Sequence, residues 1–209
     1  MSIYSLKILC LYNNPCALEL FDWIREQGHA TILWNEKLEE NWCAEQYFDL
    51  TVSYTYRYIL SETLLKALGN NAVNLHTSYL PWNRGADPNM WSILEGTPRG
   101  VTLHFMNAGL DKGSIIAQEL LPRAKSDDTL ASTYEELDCL AKKLFKSAFS
   151  YYRYWSDMKK EVLANGSYHS LADGKKLKER IESYEMTVSE IKELNRILLS
   201  GFGGGISET

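Results

Sequence analysis

A chain of 209 residues is long for one domain and short for two, and 45% hydrophobic with 23% charged residues makes a folded protein with a real core. A net charge of −5, with no run of four lysines or arginines, excludes a protein built around nucleic-acid phosphates. No stretch approaches the roughly 18 apolar residues of a span and no signal-like start is present, so no membrane span, no export and a cytoplasmic location are expected.

In chain order, Leu6 to Leu11 reads as a buried strand. Ala17 to Gln27 carries Leu18, Phe21, Trp23 and Ile24 at helical spacing, with Gly28 placed to stop it. Thr31 to Trp34 and Phe48 to Ser53 are the next strands. Ser61 suits an N-cap for a short helix through Leu68, and Ala72 to His76 is a fourth strand. A turn-rich loop from Thr77 to Pro88 leads into a helix closed by Gly96. Strands follow at Val101 to Met106 and Ser114 to Leu120, joined by the turn Asn107 to Gly113. Thr129 to Trp155 is one long helix, whose closing aromatics read as core and interface packing, not as a base-stacking platform. Gly166 to His169 is a turn, with short helices near Gly174 to Glu182 and Val188 to Leu199. The basic stretch Lys175 to Arg180 reads as a solvated helix face.

Alternating strands and helices predict an α/β fold with a mostly parallel sheet and flanking helices, of Rossmann-like organisation. Residues 1–155 are expected to form the main domain, 156–200 a short helical extension packed on it, and 201–209 a flexible tail. Sheets of this kind bind ligands beyond the carboxyl ends of their strands, where His76 falls. Cys10, Cys16, Cys43 and Cys139 make no CxxC pair and no zinc spacing, so free thiols and no metal are expected.

The chemistry concentrates between Ala72 and Gln118. Asn74 and His76 are two apart on a strand and share a face. Asp111 lies in a glycine-flanked turn from which it can reach back. An amide, an imidazole and a carboxylate in one cleft suit a reaction that builds negative charge on oxygen and moves a proton. From the residues alone, a satisfied core histidine and a turn aspartate remain the alternative.

The same segment resembles the enzymes that use 10-formyltetrahydrofolate: methionyl-tRNA formyltransferase, glycinamide ribonucleotide formyltransferase and the sugar N-formyltransferases. Their shared elements stand here in order as Asn74-Leu75-His76, Leu80-Pro81, Arg84-Gly85, Gly100-Val101-Thr102 and Leu110-Asp111-Lys112-Gly113. The resemblance covers roughly residues 6 to 155 and is sharp between about 50 and 120. It implies a formyltransferase with residues 1–155 as its catalytic domain, in which a substrate amine attacks the formyl carbon, with Asn74, His76 and Asp111 catalytic. Asn74 and protonated His76 would hold the oxyanion, and Asp111 would keep His76 charged and oriented. No covalent intermediate is needed, which agrees with the absence of a serine or cysteine nucleophile motif. The resemblance places the folate between Tyr58, Ile59, Leu60 and the turn bearing Asn107, Leu110 and Asp111. Ile59 and Leu60 also suit simple packing at a helix start.

Within the family, the stretch after Trp155 is short and lacks a basic surplus, which disfavours a tRNA acceptor. Tyr12-Asn13-Asn14-Pro15 has no glycine for a phosphate nest, which disfavours the purine enzyme. The sugar N-formyltransferases remain, and Gly166-Ser167-Tyr168-His169 resembles their Gly-x-Tyr-His stretch. The acceptor implied is a nucleotide-linked amino-deoxy sugar for surface glycans, approached by Trp82, Asn83, Arg84, Gly85, Asn89 and His104. Arg84 is equally suited to a phosphate or to pinning its loop, and His104 to a hydrogen-bonded strand position without chemistry. A homodimer is a further implication. An aminoacyl group on a carrier protein, or a methionyl-tRNA-like activity, is the alternative.

Overall fold

The computed structural model describes residues 5–161 and 165–200. Strand and helix alternate through β1 (Lys7–Leu11), α1 (Leu18–Glu26), β2 (Ala30–Trp34), α2 (Glu40–Ala44), β3 (Leu50–Tyr54), α3 (Glu62–Ala67) and β4 (Ala72–His76). There follow β5 (Arg84–Gly85), α4 (Pro88–Glu95), β6 (Arg99–Phe105), β7 (Ile115–Leu121) and α5 (Leu130–Phe149). The last elements are α6 (Trp155–Met158), β8 (Tyr168–His169), α7 (Lys175–Lys178) and α8 (Val188–Ser200).

Six strands form one sheet in the order β2-β1-β3-β4-β6-β7. The first four are parallel, and β6 and β7 run antiparallel beside β4. Strand order reverses about β1, so the crevice beyond β1 and β3 is where such a sheet binds ligands.

The sheet is covered on both faces, which is why β3 is buried at every position. On one face α1 and α5 set Phe21, Ile24, Leu137 and Phe145 against Ile8, Val52, Val73 and Leu103. On the other, Leu38, Cys43, Leu60, Leu64 and Leu65 cover Leu9 and Leu11. Each such Leu or Phe contributes about 1.5–3 kcal/mol by leaving water. Caps fix the helix starts: Leu64 N–H donates to Ser61 Oγ at 3.1 Å, and Thr129 and Ser132 cap each other reciprocally. In α8, Val188 and Ile191 pack with Ile93 of α4 and Leu130 of α5.

Three expectations are corrected. The long helix stops at Phe149, because Trp155 folds back and its indole N–H donates to the Ala148 carbonyl at 3.0 Å. Tyr168 and His169 form a strand, not a turn, pairing in parallel with Arg84 and Gly85. The helix expected from Gly174 to Glu182 covers only Lys175–Lys178. The short α2 has no counterpart in the sequence reading, and the expected tail from Gly201 to Thr209 lies outside the described residues.

Candidate active site

Asn74 and His76 share one face of β4, and the antiparallel register sets His104 opposite Asn74 and Thr102 opposite His76. The β6–β7 pairing shifts at the same place, with Leu103 opposite Ala117 and His104 opposite Ile115, so the extra residue, Ile116, is on β7. The turn between β6 and β7 then returns Asp111 to the same place, with φ of +50°.

Asp111 is the hub. It is 8% exposed, and its Oδ2 accepts the Gly85 N–H at 2.8 Å and lies 3.6 Å from His76 Nε2. Its Oδ1 lies 3.4 Å from Asn74 Nδ2 and 3.5 Å from His104 Nε2. Burial alone would push this carboxyl up; the two imidazoles and the Gly85 N–H outweigh it and hold it well below the usual carboxylate range. The hub is therefore anionic at neutral pH.

His76 Nε2 also lies 3.2 Å from the Asn83 carbonyl oxygen. A carbonyl only accepts, so Nε2 carries a proton and Nδ1 is the nitrogen left to give or take one. Thr102 supports the loop beyond His76 by donating to the Ser78 carbonyl at 2.8 Å and accepting the Leu80 N–H at 3.1 Å.

A cleft of about 930 Å³ opens at the carboxyl ends of the parallel strands, with Asn14, Thr55, Asn74 and His76 on its walls. Thr55, Asn83, Asp87 and Asp111 hold φ of 63°, 53°, 52° and 50° at or just behind it. A β-branched residue rarely adopts this conformation, and here the Thr55 hydroxyl accepts the Asn14 N–H at 3.1 Å. Strained positions of this kind cluster where a fold over-determines a site.

Of the residues expected to meet an acceptor, Gly85 and Asn89 line this cleft. Gly85 has φ of +89°, and a Cβ there would sit 2.3 Å from the His169 carbonyl oxygen, so the position admits only glycine. Trp82 is half-buried, and Arg84 Nε donates to the Ser167 carbonyl at 3.4 Å, a loop-pinning contact. Two of these residues are buried and do not line the cleft. Asn83 is 0% exposed and bonds Thr97 and Ser167, so it holds the loop and does not face the cleft. His104 is 2% exposed and stands behind Asn74.

On the expected folate side, Leu60 is buried in the core, Tyr58 packs edge-on to Tyr56, and Ile59 is 67% exposed. Asn107 lines a smaller cavity of about 390 Å³ with Leu65 and Met106, and Leu110 is half-buried. Sequence reasoning missed the far wall of the large cleft, where Tyr134, Leu171, Lys178, Ile181 and Tyr184 stand. No local pattern marks them, because they arrive from α5 and from the turns and short helix after His169, distant in sequence from the Asn74–Asp111 segment. Among the described residues, no group of three or more His, Cys, Asp or Glu side chains is placed to hold a metal, and no helix is long and apolar enough to cross a membrane.

Comparison with known proteins identifies the family. The family described as formyl transferase matches residues 27–149. Over 97 residues the chain is 39% identical to methionyl-tRNA formyltransferase of Enterococcus faecalis, covering 46% of this chain and 31% of that protein. Over 90 residues it is 41% identical to the bifunctional polymyxin resistance protein ArnA of Wigglesworthia glossinidia brevipalpis, covering 43% and 14%. The chain thus spans less than a third of the length of these two curated relatives. Among solved structures it is similar to the formyltransferase PseJ from Anoxybacillus kamchatkensis, in complex with UDP-4,6-dideoxy-4-formamido-L-AltNAc and tetrahydrofolate. The TM-score is 0.79 and the identity 35%, covering 88% of this chain and 97% of that one.

Proposed function

The chain belongs to the formyl transferase family, and on that premise we propose that it carries the formyl group of 10-formyltetrahydrofolate to the amine of a nucleotide-linked amino-deoxy sugar. The amine attacks the formyl carbon, forming the new C–N bond and placing negative charge on the formyl oxygen. An Asn74 N–H and the protonated His76 donate to that oxyanion, and the Asp111 carboxylate stabilises the charge on His76. Collapse breaks the bond to the folate nitrogen, which leaves with the proton the amine gives up. Ionised Asp111 is 3.6 Å from His76 Nε2, close enough to hold the imidazolium without taking its proton.

One observation carries the choice of acceptor. The likeness to PseJ, crystallised with a formamido-sugar nucleotide, extends over 88% of this chain and 97% of that one at 35% identity. The Tyr134 to Tyr184 wall also gives the cleft the reach for an extended acceptor. The test is to incubate the protein with 10-formyltetrahydrofolate and a panel of amino-sugar nucleotides, with methionyl-tRNA and an aminoacyl carrier protein alongside. A gain of one formyl group on a sugar nucleotide is the expected result. Efficient formylation of methionyl-tRNA or the carrier instead would overturn the acceptor assignment.

A further inference from the structure

A nucleoside diphosphate brings concentrated negative charge into the cleft. Backbone N–H groups at loops and helix starts are the usual donors to such an anion, and here most are already taken. In the loop after β1, the Asn14 N–H goes to the Thr55 hydroxyl at 3.1 Å and the Cys16 N–H to Asn14 Oδ1 at 3.0 Å. At the start of α5, the Leu130 and Ala131 N–H groups donate to the Met186 and Tyr184 carbonyls at 3.1 and 2.8 Å. The start of α4 bears Pro88, which has no N–H, and the Asp87 carboxylate, which repels an anion. Recognition therefore falls chiefly to side-chain cations, and Arg57 and Lys178 line the cleft. Lys178 Nζ is held by both oxygens of Asp87, at 3.1 and 2.9 Å. Arg57 is exposed, and among the described residues no carboxylate pairs with it.

Arg57 is held in place without being neutralised. Its backbone N–H donates to Asn13 Oδ1 at 2.8 Å, and Asn13 Nδ2 donates in turn to the Asn35 carbonyl at 2.6 Å. Its guanidinium lies over the Tyr58 ring, 5.9 Å from the centre, within the range of a cation–π contact. Tyr58 packs edge-on to Tyr56, whose hydroxyl donates to the Glu36 carbonyl at 2.6 Å and accepts the Leu38 N–H at 3.2 Å. These contacts tie the chain after β1, β2 and β3 together and leave a charged fork beside the crevice beyond β1 and β3. A guanidinium presents paired N–H donors that match two phosphate oxygens at once, which an ammonium does not. We propose that Arg57 determines acceptor specificity by receiving the acceptor's diphosphate at this crevice, while Lys178 stays locked to Asp87. The inference rests on the proposed function for the identity of the acceptor, but not for the diphosphate site itself.

The test is calorimetric titration of the full chain with UDP, dTDP and GDP, each beside its own nucleoside, and with tetrahydrofolate as a separate probe. At least one diphosphate should bind, and its nucleoside more weakly. Arg57→Gln should weaken that diphosphate roughly 10- to 100-fold, the scale of losing charge-assisted hydrogen bonds, and leave the nucleoside and tetrahydrofolate unchanged. Arg57→Lys keeps the charge without the fork and should fall between the two. Lys178→Gln should weaken the diphosphate far less than Arg57→Gln does. Arg57 is exposed and its anchor to Asn13 is a backbone bond, so urea unfolding of Arg57→Gln should match that of the natural protein. In turnover, KM for the sugar nucleotide should rise with kcat kept, the mark of binding lost equally from the ground and transition states. Undiminished diphosphate affinity in Arg57→Gln overturns the proposal, and so does a failure of all these diphosphates to bind. A loss confined to tetrahydrofolate also overturns it, because it sets Arg57 on the folate's glutamate carboxylates. If the diphosphate result holds and no sugar nucleotide is formylated, the proposed function fails and the diphosphate site stands.

Discussion

Asn83 is the residue whose loss the structure prices most directly. It is fully buried, its Nδ2 donates to Thr97 Oγ1 at 2.8 Å, and its Oδ1 accepts from Ser167 Oγ at 3.0 Å. Its backbone holds φ of +53°, which asparagine tolerates better than alanine. Asn83→Ala removes two buried hydrogen bonds at about 1 kcal/mol each and adds about 1 kcal/mol of backbone strain, roughly 3 kcal/mol altogether. Asn83→Gly loses the same bonds without the steric strain, so it should be more stable than Asn83→Ala by about 1 kcal/mol, less the glycine's extra chain entropy. Urea unfolding of the three proteins at one pH gives both differences. Because the Asn83 carbonyl also holds His76 Nε2 at 3.2 Å, formyl transfer should drop at least about 10-fold in the folded alanine variant. A change below about 1 kcal/mol with unaltered transfer would refute both the anchoring role and its link to His76.

Asp111→Asn should lower turnover at least about 100-fold while leaving folate affinity nearly intact, as measured by single-turnover kinetics and folate titration. The depressed pKa of Asp111 adds stability that is present above the ordinary value near 3.9 and is lost as pH falls toward the folded value; acid titration of unfolding should show that loss in the natural protein and not in Asp111→Asn. Burial pushes the Cys10 thiol up to about 12, and burial with the nearby Asp138 pushes Cys16 to about 11, while Cys139 is exposed. Alkylation at about pH 8, followed by peptide mapping, should therefore mark Cys139 first, Cys16 far more slowly and Cys10 only on unfolding. Gly166→Ala would place a Cβ 2.0 Å from the Pro81 carbonyl oxygen, so it should reduce both stability and transfer by displacing the loop that carries Asn83.

The parts legible in the sequence share one property: they are local. The strand Ala72 to His76 was readable because its apolar alternation is contiguous, and Asp111 because glycines bracket its turn. The Ser61 cap and the Gly96 stop were readable for the same reason. What escaped depends on partners far along the chain. Tyr168 and His169 become a strand only because Arg84 and Gly85 offer an edge. α5 ends at Phe149 only because Trp155 turns back onto the core. Asn83 looked like a surface loop residue, but Ser167 and Thr97 bury it. His104 looked like an ordinary strand residue beside a cleft until the antiparallel register set it against Asn74.

The pairing of β5 with β8 bears on how such a protein can change. Leu171, Ile181 and Tyr184 form much of the far wall of the cleft, and they follow directly on the strand that braces Gly85 beneath Asp111. On the proposed function, the wall that would meet the acceptor and the seat of the carboxylate are joined through one short stretch of chain. A chimera that borrows a foreign recognition segment should cross over after the Ser170–Asp173 turn, where the side chain of Asp173 closes on Ser170. Crossing over before Gly166 would transplant the brace with the wall.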